Sequence, residues 1–361
     1  MIIESMELKN FRNYRELQLH FDAKTNIFYG DNAQGKTNIL EAVYLSGTTK
    51  SHKGSRDRDM ILFGEDEGHL RTFVKKGEIE YQIDIHLKKN KTKGIAINGV
   101  PIRKASELFG IANFVFFSPE DLSIIKQGPG ERRRFLDMEL CQLDKVYLHH
   151  LVNYNRIVVQ RNKLLKDLSF RPELKDTLDI WDIQMAEYGK KIIESRNAFI
   201  ESLGEIIRGI HEKLSGGKEE LTLSYEKHVG AEELYDAITR SRDRDIRMKT
   251  SNVGPHRDDL MFAIGGVDIR KFGSQGQQRT AALSLKLSEI ELVKQVIHDT
   301  PVLLLDDVLS ELDHNRQNYL LDSIHDIQTM ITCTGLDEFV NHRFSINRVF
   351  RVVEGAVYSG N

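Results

Sequence analysis

The stretch Gly30-Asp31-Asn32-Ala33-Gln34-Gly35-Lys36-Thr37 constrains the fold of this chain more than any other. It fits the spacing GxxxxGK[ST], and its flanks supply the context that the spacing needs. The run Asn26-Ile27-Phe28-Tyr29 reads as a strand before it, and Ile39, Leu40 and Val43 follow at helical spacing. In such a unit the glycines let backbone N–H groups turn onto phosphate oxygens, and the helix N-terminus adds partial positive charge. Lys36 then reaches the β and γ phosphates of a nucleotide, and Thr37 is placed to ligate magnesium.

At about 150 residues per domain, a chain of 361 residues suggests two domains, or one large domain with an insertion. With 40% hydrophobic and 29% charged residues and no run near the ~18 apolar residues of a membrane span, membrane, collagenous and disordered classes are excluded. Met1 to Lys9 is strand-like and lacks a basic leader and cleavage site, so a cytoplasmic protein is expected. Cys141 and Cys333 form no CxxC pair and are expected to be reduced, structural thiols. A net charge of −3 argues against a protein coated in positive charge, but leaves room for local basic patches.

Hydrophobic period divides the chain without any internal repeat. From Met1 to about Asn98, runs such as Tyr81-Gln82-Ile83-Asp84-Ile85 alternate with turn residues and read as mainly strand. Between Glu131 and Glu212 the period is helical: Leu148, Leu151, Asn155, Val158, Asn162 and Leu165, then Leu178, Trp181, Met185, Tyr188, Ile192, Phe199, Leu203, Ile206 and Ile210. Two long helices are implied, the second ~40 residues or roughly 60 Å long, with a turn near Ser169 to Pro172 that makes a projecting antiparallel hairpin. Trp181 and the methionines read as core. Past Asp259 strands return at Pro301 to Leu305 and Thr329 to Cys333, so the helical part is inserted into an α/β domain. The expected division is residues 1–125 and 246–361 as the two parts of that domain, and 126–245 as the inserted arm.

Val302-Leu303-Leu304-Leu305-Asp306-Asp307 is a buried-strand run ending in two carboxylates. Asp306 suits a magnesium site and Asp307 suits a general base for an attacking water, or the pair caps the next helix. Gly273-Ser274-Gln275-Gly276-Gln277-Gln278 opens a helix bearing Leu283, Leu287 and Ile290 on one face; Ser274 is its cap, a structural feature or a second anion site.

These segments together resemble the ABC-type P-loop ATPase head: the phosphate loop, Ser274-Gln275-Gly276-Gln277, Asp306-Asp307, and Ser310-Glu311-Leu312-Asp313. Within that superfamily, Asn10-Phe11-Arg12-Asn13-Tyr14, Gly30 to Asn38 with Leu40-Glu41-Ala42, and Gly254-Pro255-His256-Arg257-Asp258-Asp259 resemble the RecF family of bacterial recombination mediators, over nearly the whole chain. The resemblance implies an α/β head with a mixed sheet and an inserted all-α helical-hairpin arm. It also implies ATP and Mg2+ as cofactors, an ATP-dependent homodimer, and binding to double-stranded and gapped DNA with RecR and RecO as partners. Carried over residue by residue, Gly30 to Asn38 and Arg12 bind nucleotide, Thr37 and Asp306 hold the metal, and Asp307 with Lys36 carries the chemistry. The Ser274 segment serves the partner's nucleotide, and Ser310 to Asp313 forms the D-loop.

The chain departs from the transporter pattern in three places. Ser118-Pro119-Glu120-Asp121 stands where a metal-watching Gln is usual, which makes Glu120 the candidate there. Thr332, Cys333 and Thr334 replace a switch histidine, and Asp307 is one methylene shorter than the usual Glu, which together imply a slow switch.

Four basic clusters are candidates for phosphate contact or solvated faces: Lys53-Arg56-Arg58, Lys88-Lys89-Lys91-Lys93, Arg132-Arg133-Arg134, and Arg240 to Lys249. The Lys88 to Lys93 run is the least balanced by neighbouring acids, and no interleaved aromatics suggest base stacking. His256 reads as a catalytic group or as part of a satisfied polar turn. A transporter nucleotide-binding subunit is the alternative function, for which a short membrane-docking helical part is expected in place of a long hairpin. An ATPase-linked nuclease needs a further metal domain after Asp313, and a long-arm cohesion protein needs a far longer coiled coil.

Overall fold

A computed structural model describes residues 1–336 and 346–360. They form two compact units, Met1–Asp121 with Glu289–Asn361, and Leu122–Ser288. In the first unit the central sheet runs in the order Ala356–Gly360, Arg348–Val353, Thr25–Tyr29, Thr329–Cys333, Val302–Asp306, Phe114–Phe117. The outermost hairpin pair is antiparallel and every other pairing is parallel. Uninterrupted apolar runs suit strands covered on both faces: Val302, Leu303, Leu304 and Leu305 are all buried, and Phe28 stacks on Phe350 at 4.8 Å between ring centroids. Parallel pairing sends the chain segments after Tyr29, Phe117, Asp306 and Cys333 to the same end of the sheet, which is where open α/β sheets place ligands.

A second, antiparallel sheet uses Tyr14–His20, Ile2–Phe11, Glu67–Lys76, Ile79–Lys88, Gly94–Ile97 and Val100–Pro101, as the alternating N-terminal sequence predicts.

The second unit contains the two long helices, Lys145–Asp167 and Leu178–Leu214, joined through a 3-10 turn at Pro172–Thr177. Their side-chain pairs run in opposite order, Tyr147 with Arg196, His150 with Tyr188 and Arg161 with Asp182, so the hairpin is antiparallel. The buried face of the first helix is Tyr147, Leu148, Tyr154, Ile157, Arg161 and Leu165, rotated from the apolar stripe that the sequence suggests; Asn155 is exposed. The rotation follows from Arg161, which is fully buried between Asp182 and Asp245 at 2.7 Å each. Among the residues expected in the core, Met185 is buried, while Trp181 is half-buried and Met248 exposed.

This unit also holds a strand, Leu221–Glu226, paired antiparallel with Asp259–Ile264. That pairing ties residues 246–288 to the inserted unit, whereas the sequence assigned them to the head.

Candidate functional site

Phosphate-loop geometry is set by glycines and by the chain that packs under them. Gly30 has φ +152°, and a Cβ there would lie 2.3 Å from the Val352 carbonyl oxygen. Gly35 has φ +114°, and its Cβ would lie 2.5 Å from Asn13 Nδ2. Both positions therefore demand glycine. Asn13 donates to the Gln34 carbonyl at 3.0 Å, Tyr14 to the Gly35 carbonyl at 3.1 Å, and Asn38 to Asn13 Oδ1 at 2.8 Å. From the C-terminal hairpin, the Glu354 and Gly355 N–H groups donate to the side chain and carbonyl of Gln34. Asp31, Asn32 and Ala33 form the outer turn of the loop, with Ala33 at φ +65°. Lys36 is buried, and its ammonium donates to the Gly30 carbonyl at 2.5 Å and to the Asp31 carbonyl at 2.8 Å.

The two carboxylates reach the loop from the end of one strand, Val302–Asp306, across the intervening strand Thr329–Cys333. Thr37 Oγ1 donates to Asp306 Oδ1 at 2.8 Å, and Thr332 Oγ1 donates to the same oxygen at 2.7 Å. Asp307 lies beyond the strand end at φ +54°, with its N–H on the Thr332 hydroxyl at 3.0 Å. Burial pushes the Asp307 carboxyl above the usual carboxylate range; the Lys36 charge pulls it down and the Asp306 charge adds to the rise. Neither aspartate caps the following helix, His314–Ser323, whose cap is Asp313. Ser310 bridges back to the Asp307 carbonyl at 2.9 Å, and Glu311 and Leu312 complete the turn between them. Glu120 is exposed in the turn that follows Phe114–Phe117, the strand beside Val302–Asp306.

Arg12 is engaged with protein groups. It grips Glu41 through two 2.7 Å bonds and also donates to Ser55 and to the Asp59 carbonyl. Burial pushes the Glu41 carboxyl up, but hydrogen bonds from Arg12 and Ser51 and the Arg12 charge outweigh it and hold the carboxyl below its usual range. Sequence spacing gives no sign of this clamp, nor of the C-terminal hairpin beneath Gln34; a buried Glu on the phosphate-loop helix is the only available signal.

Ser274 lies just before the helix Gln275–Ile297 and forms a reciprocal cap with Gln277. The Gln277 N–H donates to Ser274 Oγ at 3.2 Å, and the Ser274 N–H donates to Gln277 Oε1 at 2.8 Å. Gln277 Nε2 also donates to Glu219 at 2.9 Å. Gln275 and Gly276, which open the helix, are exposed.

The chain matches the family model described as RecF/RecN/SMC N terminal domain over residues 2–356. It is 64% identical over 357 residues to the DNA replication and repair protein RecF of Agathobacter rectalis, covering 99% of each chain. To the RecF of Lachnospira eligens it is 61% identical with full coverage of both. The chain belongs to the RecF family. A solved structure of the recombination mediator protein RecF with ATP, of the RecFOR pathway, superposes with a TM-score of 0.91 at 36% identity, over 99% of this chain and 97% of that one. An Smc head bound to the C-terminal winged-helix domain of ScpA gives 0.58 at 17% identity, a likeness of fold alone.

The segment Gly254 to Asp259 forms a polar hub within the second unit. His256 bonds Tyr154 at 2.7 Å and the Ser251 carbonyl at 3.0 Å, and burial pushes it down to about 4, so it stays neutral as a structural group. Asp258 receives Tyr225, the His228 N–H and Arg196. Arg132 is buried with a two-pronged bond to Asp259, and Arg242 is held by Asp179 and Asp182; neither reads as a free phosphate contact.

The Lys88 to Lys93 run is better balanced than its sequence neighbours suggest, because strand pairing and loops bring acids across. Lys88 faces Glu67 at 3.9 Å, Lys89 faces Asp66 at 3.3 Å, and Lys93 binds Asp57 at 2.8 Å. Lys91, Lys53 and Arg56 are not in an ion pair among the described residues, and Lys53 and Arg56 are exposed. No described helix is long and apolar enough to cross a membrane.

Proposed function

We propose that this chain is an ATP-gated, DNA-binding recombination mediator. It dimerises on ATP, engages double-stranded DNA at gap junctions, and acts in the cytoplasm with RecR and RecO to promote recombinase loading. The observation that carries the reading is the convergence of Lys36, Thr37, Asp306 and Asp307 at one end of the parallel sheet. That donor set fits the cofactor: an ammonium for phosphate oxygens, and hydroxyl and carboxylate oxygens for a hard divalent cation such as Mg2+. When bound, the nucleotide supplies a γ-phosphate whose presence or loss distinguishes two states.

In this scheme Lys36 would exchange the Gly30 and Asp31 carbonyls for phosphate oxygens, Thr37 and Asp306 would hold the metal, and Glu120 is a further candidate for it. Asp307 accepts the proton of an attacking water. Ser274 to Gln277 reads the γ-phosphate held by a second copy, with Ser310 to Asp313 at the same contact; a two-fold dimer places both nucleotides between the heads. Lys53, Arg56 and Lys91 are then the first candidates for the DNA backbone, with Lys88, Lys89 and Lys93 available only where their acid partners yield. Hydrolysis is slow and DNA-stimulated, resetting a switch. Light scattering with and without ATP and gapped duplex DNA, beside a phosphate-release assay, tests the proposal. A monomer under every condition, or DNA affinity indifferent to ATP, would refute it.

A further inference from the structure

We infer that Thr332 is a positioning residue for the Asp306-Asp307 pair, fixing both groups in the arrangement that metal-bound nucleotide requires; the inference rests on the ATPase reading above. Thr332 occupies the next-to-last position of the strand Thr329–Cys333 and is buried. Its hydroxyl has a single proton, which goes to Asp306 Oδ1 at 2.7 Å, leaving its lone pairs to accept the Asp307 N–H at 3.0 Å. One side chain therefore orients the first carboxylate and anchors the backbone of the second. The anchor matters because Asp307 is held at φ +54°, a left-handed conformation that Asp tolerates better than most L residues but that still gains from a partner fixing its N–H. The Thr332 carbonyl adds a second acceptor for the same N–H at 3.2 Å.

Thr37 also donates to Asp306 Oδ1, at 2.8 Å, but Thr37 is the loop residue suited to hold a metal. Once its hydroxyl is committed there, Thr332 supplies the remaining hydroxyl bond to Oδ1 among the described residues, and so sets the direction in which Oδ2 faces. Of the three residues that stand where a switch histidine is usual, Thr332 is the one seen bonded to Asp306 and Asp307 among the described residues. Cys333 Sγ points to the Phe28 carbonyl and Thr334 is exposed. Groups that orient a ligand carboxylate without touching the metal typically control metal affinity or activity ~10–100-fold.

Thr332→Val keeps the shape and removes the hydroxyl; Thr332→Ser keeps the hydroxyl. Each is compared with the parent in two assays, steady-state hydrolysis and titration with a fluorescent ATP analogue, the latter in EDTA and in Mg2+. The valine variant should lower kcat/KM ~10–100-fold, with KM rising in step with the weaker Mg2+-dependent binding, because KM tracks Kd when turnover is slow. It should bind the analogue in EDTA like the parent and lose most of the affinity gained on adding Mg2+. Serine should restore both properties to within about threefold. A valine variant with parental kcat/KM and parental Mg2+ response would overturn the inference, as would serine behaving like valine, which would mean that the methyl group packs and the hydroxyl is idle. If the valine chain does not fold, Thr332→Ala against Thr332→Ser makes the same comparison. A parent without turnover would remove the ATPase reading, while the Mg2+-dependent binding step would still decide the role of Thr332.

Discussion

Arg12→Ala removes the counter-charge of a carboxylate that has almost no water of its own. The Glu41 side chain is 1% exposed and that of Arg12 is 20% exposed. The guanidinium gives Glu41 two bonds of 2.7 Å, and its loss leaves the Ser51 hydroxyl as a remaining donor to that carboxylate. Removing one partner of a buried pair costs about 3–5 kcal/mol. Because a fifth of the Arg12 side chain is in water, the lower end, about 3 kcal/mol, is expected at pH 7. The pH dependence gives a second handle. In the parent, hydrogen bonds and charge from Arg12 hold Glu41 below the ordinary carboxyl range despite its burial, so the pair contributes stability above the unfolded-state value and loses it as pH falls through the folded one. Without Arg12, the largest remaining influence is burial, which raises the pKa. Protonation on acidification then favours the folded variant, and the gap between parent and variant narrows from pH 7 toward pH 4. Hydrogen exchange of the Lys36–Thr48 helix, with chemical denaturation followed by circular dichroism, reads both effects. A gap below about 1 kcal/mol at pH 7, or one that widens in acid, would refute the clamp as the source of stability.

The remaining predictions concern the nucleotide cycle. Lys36→Met should abolish ATP-dependent DNA binding with little change in melting temperature, since among the described residues its ammonium bonds loop carbonyls; unimpaired ATP response would remove the phosphate-loop assignment. Ser274→Arg should bind ATP as a monomer yet fail to dimerise or hydrolyse, and mixing it with Lys36→Met should restore at most one composite site per heterodimer. Because Ser274 also caps its helix, the variant is expected to lose ~1 kcal/mol of stability, so turnover is compared at a temperature where both are folded; parental turnover by the monomer would show the site complete in one chain. Asp307→Asn should keep nucleotide and lose the proton acceptor, so ATP-bound dimers outlive those of the parent in sizing experiments; dimers of equal lifetime would make Asp307 structural.

The head was legible because its chemistry is local. Gly30 to Thr37 carries its own strand and helix as context, and Val302 to Asp307 announces a buried parallel strand and its carboxylates in one run. The groups that complete the site lie far away in sequence. Glu354 and Gly355 brace Gln34 from the far end of the chain, and Thr332 bonds Asp306 from an adjacent strand. Only the strand order brings them together, and order is not encoded in any window of residues. The lysine run shows the same limit: Lys88 and Lys89 have no acid beside them in the chain, and acquire Glu67 and Asp66 from an antiparallel neighbour.

The inserted unit was misread for a different reason, which concerns how its core is made. Apolar periodicity assumes that buried positions are apolar, yet the long hairpin buries Arg161 and Arg196. Arg161 bonds Asp182, Asp245 and Ser251 through Nε and Nη1, while its Nη2 is buried without a hydrogen-bond partner among the described residues; Arg196 bonds Asp137, Asp258, Tyr147 and the Pro255 carbonyl. Charges so paired cost desolvation that an apolar core would not, and are strongly destabilising to break singly. Their directional bonds also oppose a slip of register, because sliding one helix past the other would draw each arginine away from its partners. The partners come from both helices, from Ser251 and from the Gly254 to Asp259 turn, so that turn is locked to the hairpin by directional bonds. A segment that looks catalytic in sequence, with a histidine, an arginine and two aspartates in succession, is in this fold a fastening that ties the two long helices to the strand pair Leu221–Glu226 and Asp259–Ile264.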